Sequence, residues 1–172
     1  MSANDLVLGT HELPRRAGEM KKTRREIDAP ADLGVEMIGV PEGSPIALDL
    51  VLQSAGEGIL VTGTATARLL GSCVRCLASV AYDDSFTIDE LYFYPGREAE
   101  EDDLYVVDEQ IDLDPALREA VVLELPINPL CRPDCLGLCP ICGRNRNDDP
   151  RHSHEDAPTD ARWEALKALN LD

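Results

Sequence analysis

Apolar and polar positions alternate with a period of two through Ile46, Leu48, Leu50 and Leu52, with Ala47, Asp49, Val51 and Gln53 between them. This is the pattern of a strand with one buried face. The turn Gly56-Glu57-Gly58 leads into a second alternating run, Ile59 to Leu70, in which Thr62, Thr64, Thr66 and Arg68 share one face and Val61, Ala65, Ala67 and Leu69 the other. Two long alternating runs joined by a glycine-rich turn predict a β-hairpin. A third strand region, Leu77 to Tyr94, carries Val80, Tyr82, Phe86, Ile88, Leu91 and Phe93 with a changing phase, which predicts a bend or bulge. Short strands are expected at Asp5 to Gly9 and Leu104 to Val107, with a solvated acidic loop at Glu98 to Asp103 between the later ones.

One helix stands out. Asp114 followed by Pro115 is a helix-start signal, the carboxylate capping free amides and proline losing no needed donor at the first helical position. Leu117, Val121 and Leu125 then fall on one face, with Leu113 just upstream, so the helix should pack across the sheet until Pro126 stops it. Farther on, Gly143 to Pro158 is polar and turn-rich, and Trp163, Leu166 and Leu169 form an apolar stripe at helical spacing. The expected fold is therefore mainly β with minor α (α+β): a curled antiparallel sheet or partly open barrel, one packed helix, a cysteine-rich metal knuckle and a short terminal helix. Residues 1–143 would form one β-rich domain that includes the knuckle at 131–143, and 144–172 a polar tail with the amphipathic helix.

Charge changes this picture at one place. The 172 residues carry a formal charge of -17, which argues against wrapping nucleic acid with the whole surface. Six of the 16 basic residues, Arg15, Arg16, Lys21, Lys22, Arg24 and Arg25, nevertheless lie within eleven positions with Glu19 the only acid among them. Broken by Pro14 and Gly18, this stretch reads as an exposed basic arm, with ordered structure resuming near Leu33. Such an arm on an acidic body could touch a polyanion, and the body could receive a basic protein. Met1 to Thr10 has neither a basic leader nor an apolar signal core, and no run approaches the roughly 18 apolar residues of a membrane span, so a cytoplasmic protein without membrane contact is expected.

Six cysteines in a reducing compartment point to metal or redox chemistry rather than disulfides. Cys131, Cys135, Cys139 and Cys142 place four thiols within twelve residues, and Cys139-Pro-Ile-Cys142-Gly143 has the form of a zinc knuckle, a tight turn aiming two thiolates at one ion. A second pair, Cys73-Val-Arg-Cys76, sits between two strands. Two ligand sets are open: the local one of Cys131, Cys135, Cys139 and Cys142, which is preferred, and one joining Cys73 and Cys76 to Cys139 and Cys142. Either would hold a structural Zn²⁺ in a loop too rich in proline and glycine to fold by a core. His152 and His154 are candidate ligands that in a polar tail are more often solvated. No nucleophile motif with a base, no phosphate-binding loop and no HExxH pair is present, so no enzyme activity is expected.

The CxxC after a long strand, the run Leu123-Glu-Leu-Pro-Ile-Asn-Pro-Leu-Cys131 and the segment Cys135-Leu-Gly-Leu-Cys139-Pro-Ile-Cys142-Gly143 together resemble the YceD family of large ribosomal RNA subunit accumulation proteins. The opening Asp5-Leu-Val-Leu-Gly-Thr10 and the closing Pro-Thr-Asp-Ala-Arg-Trp163-Glu-Ala-Leu166 fit it too. The resemblance implies a non-catalytic role in the synthesis, processing or accumulation of large-subunit ribosomal RNA. The expected partners are that RNA or a large-subunit assembly intermediate, with a basic ribosomal protein as a further candidate. The basic arm, with Arg132, Arg144, Arg146 and Arg151 beside the knuckle, would make the contact. The alternatives are a zinc-stabilised protein-interaction module without RNA contact, and a thiol oxidoreductase using Cys73 and Cys76, which would require a helix directly after the motif.

Overall fold

The computed structural model describes residues 5–96 and 103–154. Strands β1 (Val7–Gly9), β2 (Met20–Asp28), β3 (Leu33–Val35), β4 (Ile38–Val40), β5 (Pro45–Ala55), β6 (Gly58–Ser72), β7 (Ser79–Phe93), β8 (Leu104–Tyr105) and β9 (Gln110–Asp112) precede the helix α1 (Asp114–Glu124). The two alternating runs form the expected hairpin, β5 pairing antiparallel with β6 from Ala55 opposite Gly58 to Ile46 opposite Ala67. β6 is the central strand of an open seven-stranded sheet, with β5 and β4 along one edge and β7 along the other. All pairings are antiparallel except the short β7–β8 ladder, and β1 with β9 makes a separate two-stranded sheet.

Glycine is required at position 63, at the middle of the β5–β6 ladder. Its φ is +150°, and a Cβ there would lie 2.1 Å from the Asp49 carbonyl oxygen and 2.9 Å from the Leu50 Cα. Only a residue without a side chain lets the two backbones approach so closely.

The apolar rows of β5, β6 and β7 face α1 and make the core: Ile46, Leu48, Leu50 and Leu52, then Ile59, Val61, Ala65, Ala67 and Leu69, then Phe86, Ile88 and Tyr92, against Leu117, Val121 and Leu125. The outward row of threonines on β6 is solvated, as half-buried alternation requires.

Three local expectations are corrected. The stretch expected as an exposed arm is a strand over its second half: β2 pairs with β5 along its whole length, Met20 opposite Gln53 and Asp28 opposite Pro45. Charged side chains suit this position because β2 is an edge strand, where charge discourages pairing with another chain, and Arg24 meets Asp49 directly across the ladder at 2.9 Å. The region 79–93 carries no bulge: β7 stays in register with β6 throughout, and its phase is irregular because acids such as Asp84 and Glu90 occupy the row that holds Phe86, Ile88 and Tyr92. Asp114 does not cap α1. The N-cap is Leu113, the Asp114 amide donates to the Asp112 carboxylate at 3.0 Å, and Asp114 itself pairs with Arg118 one turn on, at 2.8 Å. The stripe of Trp163, Leu166 and Leu169 and most of the acidic loop lie outside the described residues.

Candidate metal centre

The hairpin turn between β6 and β7 is itself a knuckle. The Leu77 amide donates to the Cys73 carbonyl at 2.9 Å and the Cys73 amide to the Ala78 carbonyl at 2.8 Å, closing a turn that exits through Leu77 at φ +59°. The later knuckle repeats this pattern, Gly143 donating to Cys139 at 2.8 Å and Cys139 to Arg144 at 2.8 Å, with Gly143 at φ +72°. Leu77 thus holds a left-handed conformation that glycine takes in the second turn, at a cost of roughly 1–2 kcal/mol.

The structure distributes the thiols differently from either ligand set drawn from the sequence. Cys131 and Cys135 converge on Cys73 and Cys76, and Cys139 and Cys142 on His152 and His154; within each group all ligand atoms lie within 4.8 Å of one another. The local set of four therefore divides between two places. The physical reason lies in how the chain returns after α1. The Val74 amide donates to the Pro129 carbonyl at 3.0 Å, the Leu138 amide to the Arg75 carbonyl at 2.9 Å, and Arg75 donates through Nη1 to the Cys135 carbonyl at 2.9 Å. These bonds lay segment 129–138 over the β6–β7 turn, next to its thiols and away from Cys139.

In the first group the Cys73 and Cys135 sulfurs are 3.8 Å apart and those of Cys76 and Cys131 are 3.6 Å apart. Thiolates at ~2.3 Å from a tetrahedral Zn²⁺ have mutual distances of ~3.8 Å, so the arrangement fits such an ion. All six cysteines are free thiols. The charge states agree with the geometry. Burial opposes ionisation of Cys73, but the backbone amides of Cys131, Cys76 and Arg75 outweigh it and hold the thiol at about 6. Cys135 is held below the ordinary thiol range, chiefly because Asn147 donates to its sulfur at 3.4 Å. Cys131 is pushed up to about 12, first by hydrogen bonding to Cys76 and then by burial. Protons alone therefore divide the negative charge unevenly among four touching sulfurs, and a divalent cation lets all four ionise.

In the second group Cys142 Sγ lies 3.2 Å from His152 Nε2, which is 3.0 Å from His154 Nε2. Amides of Cys142 and Ile141 donate to Cys139 and hold its thiol at about 6. Both groups could hold a metal ion. Asn147 is the site residue that sequence reasoning missed; His152 and His154, candidate ligands expected more often to be solvated, are brought beside Cys139 and Cys142. The redox alternative lacks its helix, because β7 begins at Ser79 directly after the Cys73-x-x-Cys76 turn, and Cys73 is fully buried.

Of the basic candidates, Arg15 stacks over the Tyr94 ring with its guanidinium carbon 4.7 Å from the centroid. Lys21 pairs with Glu12 at 2.7 Å, and Arg24 with Asp49. Arg16, Lys22 and Arg25 are exposed and form no ion pair among the described residues. Beside the metal centre, Arg132 pairs with Asp134 and Arg144 with Asp149, while Arg151 is exposed.

A family model described as large ribosomal RNA subunit accumulation protein YceD matches residues 61–170. An uncharacterised protein of Mycobacterium tuberculosis is 41% identical over 169 residues, which is 95% of this chain and 81% of that protein. One from Mycobacterium leprae is 39% identical over 155 residues, 87% of this chain and 71% of its own length. A maize protein named large ribosomal RNA subunit accumulation protein YCED homolog 1, chloroplastic, is 40% identical over 40 residues, 23% of this chain and 14% of that protein. No solved structure matches. Among the described residues no helix is long and apolar enough to cross a membrane.

Proposed function

Because the chain belongs to the YceD family of large ribosomal RNA subunit accumulation proteins, we propose that it is a non-catalytic factor in the synthesis, processing or accumulation of large-subunit ribosomal RNA. It acts in the cytoplasm on that RNA or on a large-subunit assembly intermediate. The observation that carries this reading is the family match over 61–170, a range that takes in most of β6, all of β7 and α1, and all six cysteines. Cys73, Cys76, Cys131 and Cys135 hold a structural Zn²⁺, the ion that four soft thiolates in a closed tetrahedral set suit best. Its work is to fasten the segment after α1 to the end of the β6–β7 hairpin.

RNA contact is made by the basic side chains that no ion-pair partner among the described residues engages. On the β2 side these are Arg16, Lys22 and Arg25; beside the metal centre it is Arg151, with Arg132 and Arg144 able to exchange a carboxylate for a phosphate. Arg15, Lys21 and Arg24 contribute less, since each is already engaged. Replacing Arg16, Lys22, Arg25 and Arg151 by glutamine should abolish co-sedimentation with large-subunit precursors and flatten its salt dependence. Unchanged co-sedimentation would remove RNA contact from the proposal.

The net charge of -17 favours a second reading, a zinc-stabilised module that docks a basic ribosomal protein without touching RNA. Crosslinking in cells separates the two: recovery of ribosomal RNA on the chain supports the first, and recovery of protein alone supports the second.

A further inference from the structure

We propose that Cys139, Cys142, His152 and His154 form a second metal site, independent of the four-cysteine group, so that the chain carries two divalent ions. The inference goes beyond the ribosomal reading and stands or falls separately from it.

The convergence of the ligand atoms is the first ground. A ring nitrogen has one in-plane position, filled either by a hydrogen or by a lone pair, so it can satisfy one neighbour at a time. His152 Nε2 faces two, Cys142 Sγ at 3.2 Å and His154 Nε2 at 3.0 Å, and Cys139 Sγ lies with them inside a 4.8 Å span. Pairwise hydrogen bonding leaves one of these contacts unsatisfied, whereas a shared cation satisfies all four atoms. Two thiolates at ~2.3 Å and two imidazoles at ~2.0 Å from a tetrahedral ion stand ~3.3–3.8 Å apart, a few tenths of an ångström from the observed spacing.

The second ground is the equivalence of the two knuckles. The turn 139–143 has the same pair of backbone hydrogen bonds as 73–77 and the same left-handed exit. A turn of this build aims two sulfurs at one point, and at Cys139 and Cys142 that point is not shared with Cys131 or Cys135.

The third is composition. Residues 143–154 include no apolar side chain but that of Pro150, which is exposed, yet they are folded back: Arg146 donates its amide to the Gly137 carbonyl at 2.9 Å, and the Asp148 and His152 amides close turns on Asn145 and Asp149. A segment that buries no apolar residue has no core to hold it, and a metal that recruits His152 and His154 to the knuckle supplies the missing closure. Two thiolates and two imidazoles in a tetrahedral set select zinc among the common ions.

The test is the metal content of the full chain, with Zn²⁺ itself as the probe, by native mass spectrometry. Two ions per chain are expected. The double variant His152→Ala, His154→Ala should retain one ion and an unchanged sheet by circular dichroism, and the single variant His152→Cys, which keeps a ligand atom at that position, should retain both. Co²⁺ exchange gives an independent readout: sulfur-to-metal charge transfer should fall by about a third in the double alanine variant, as six thiolate bonds become four. One ion in the parent chain, or two ions in the double alanine variant, overturns the proposal. Should the double alanine variant fail to fold, His152→Cys alone decides: two ions support the site and one overturns it. Because no readout involves RNA, failure here leaves the ribosomal reading untouched.

Discussion

Asn147 offers the sharpest test of the four-cysteine group as a metal site. Its amide nitrogen donates to the Cys135 sulfur at 3.4 Å and to the Asn145 side-chain oxygen at 2.8 Å. Its oxygen accepts from the Leu136 amide at 2.8 Å and from Arg132 Nη2 at 2.7 Å. Asn147→Ala removes all four contacts, with unequal consequences. Leu136 is exposed, so its amide turns to water, and Arg132 keeps Asp134. What is lost without replacement is the donor to a thiolate, and a hydrogen bond to a charged group contributes about 1.5–3 kcal/mol. Outer partners of metal ligands typically govern ~10–100-fold in affinity, or ~1.4–2.8 kcal/mol at 1.4 kcal/mol per decade; the two figures agree. Competition for Zn²⁺ against a chromophoric chelator should therefore show a 10–100-fold weaker tight site, with the sheet's unfolding midpoint little changed. Asn147→Asp should be worse than alanine, because it aims a carboxylate at a sulfur that carries charge. An alanine variant with the parent affinity, or an aspartate variant that binds more tightly, would refute the role given to this amide.

Three further outcomes follow from the geometry. Gly63→Ala places a Cβ against backbone of β5 that cannot yield, in a conformation unfavourable to any side chain; overpacking and backbone strain together should cost about 3–5 kcal/mol in urea denaturation, and a loss below about 1 kcal/mol would show that β5 and β6 can separate there. Leu77→Gly relieves the left-handed strain of the first knuckle while giving up a side chain that is 63% exposed; after the entropy cost of glycine the chain should gain about 0.5–1 kcal/mol, and a lower unfolding midpoint would contradict the equivalence of the two turns. Glu90 sits on the core-facing row of β7, and burial, with Glu119 and Asp89 nearby, raises its carboxyl above the ordinary range. Its charged form is therefore less favourable folded than unfolded, so the penalty is absent below the unfolded carboxyl value and grows as pH rises through the folded one. Glu90→Gln should raise the melting temperature at pH 7 and leave it nearly unchanged near pH 4; equal shifts at both would assign the effect to packing.

The β5–β6 hairpin was legible because its two strands alternate cleanly and meet at a glycine turn, and α1 because Pro115 and the Leu117, Val121, Leu125 stripe coincide. β2 was not, since its solvated edge carries only one buried apolar residue, Ile27, and its partner strand follows seventeen residues after it ends. Burial leaves a periodic trace in sequence, and an edge ladder between charged side chains leaves almost none. The cysteines were legible as candidate metal ligands, but their pairing was not. Spacing within Cys131 to Cys142 picks out candidate ligands and turns, yet which knuckle faces which pair depends on contacts such as Val74 to Pro129 and Leu138 to Arg75, which link residues more than fifty positions apart. The histidines were undervalued because a polar tail offers no apolar signal of order, although a metal needs none.

The way these parts are connected bears on what a metal would do. Cys73 and Cys76 are presented by the β6–β7 hairpin turn, whose strands pair over their full length, so half of the first ligand set exists once the sheet does. Cys131 and Cys135 lie on the chain that leaves α1 past Pro126, and the second knuckle sits beside them because the Leu138 amide donates to the Arg75 carbonyl and Gly137 packs against Arg75. A metal at these groups would therefore act on a segment outside the core, since the residues from Arg132 to His154 bury little apolar surface of their own. Arg132, Arg144 and Arg151 ride on that segment. If the proposed ions are bound, thiolates and imidazoles rather than packing hold these side chains, and metal occupancy, not the stability of the sheet, should then track RNA association.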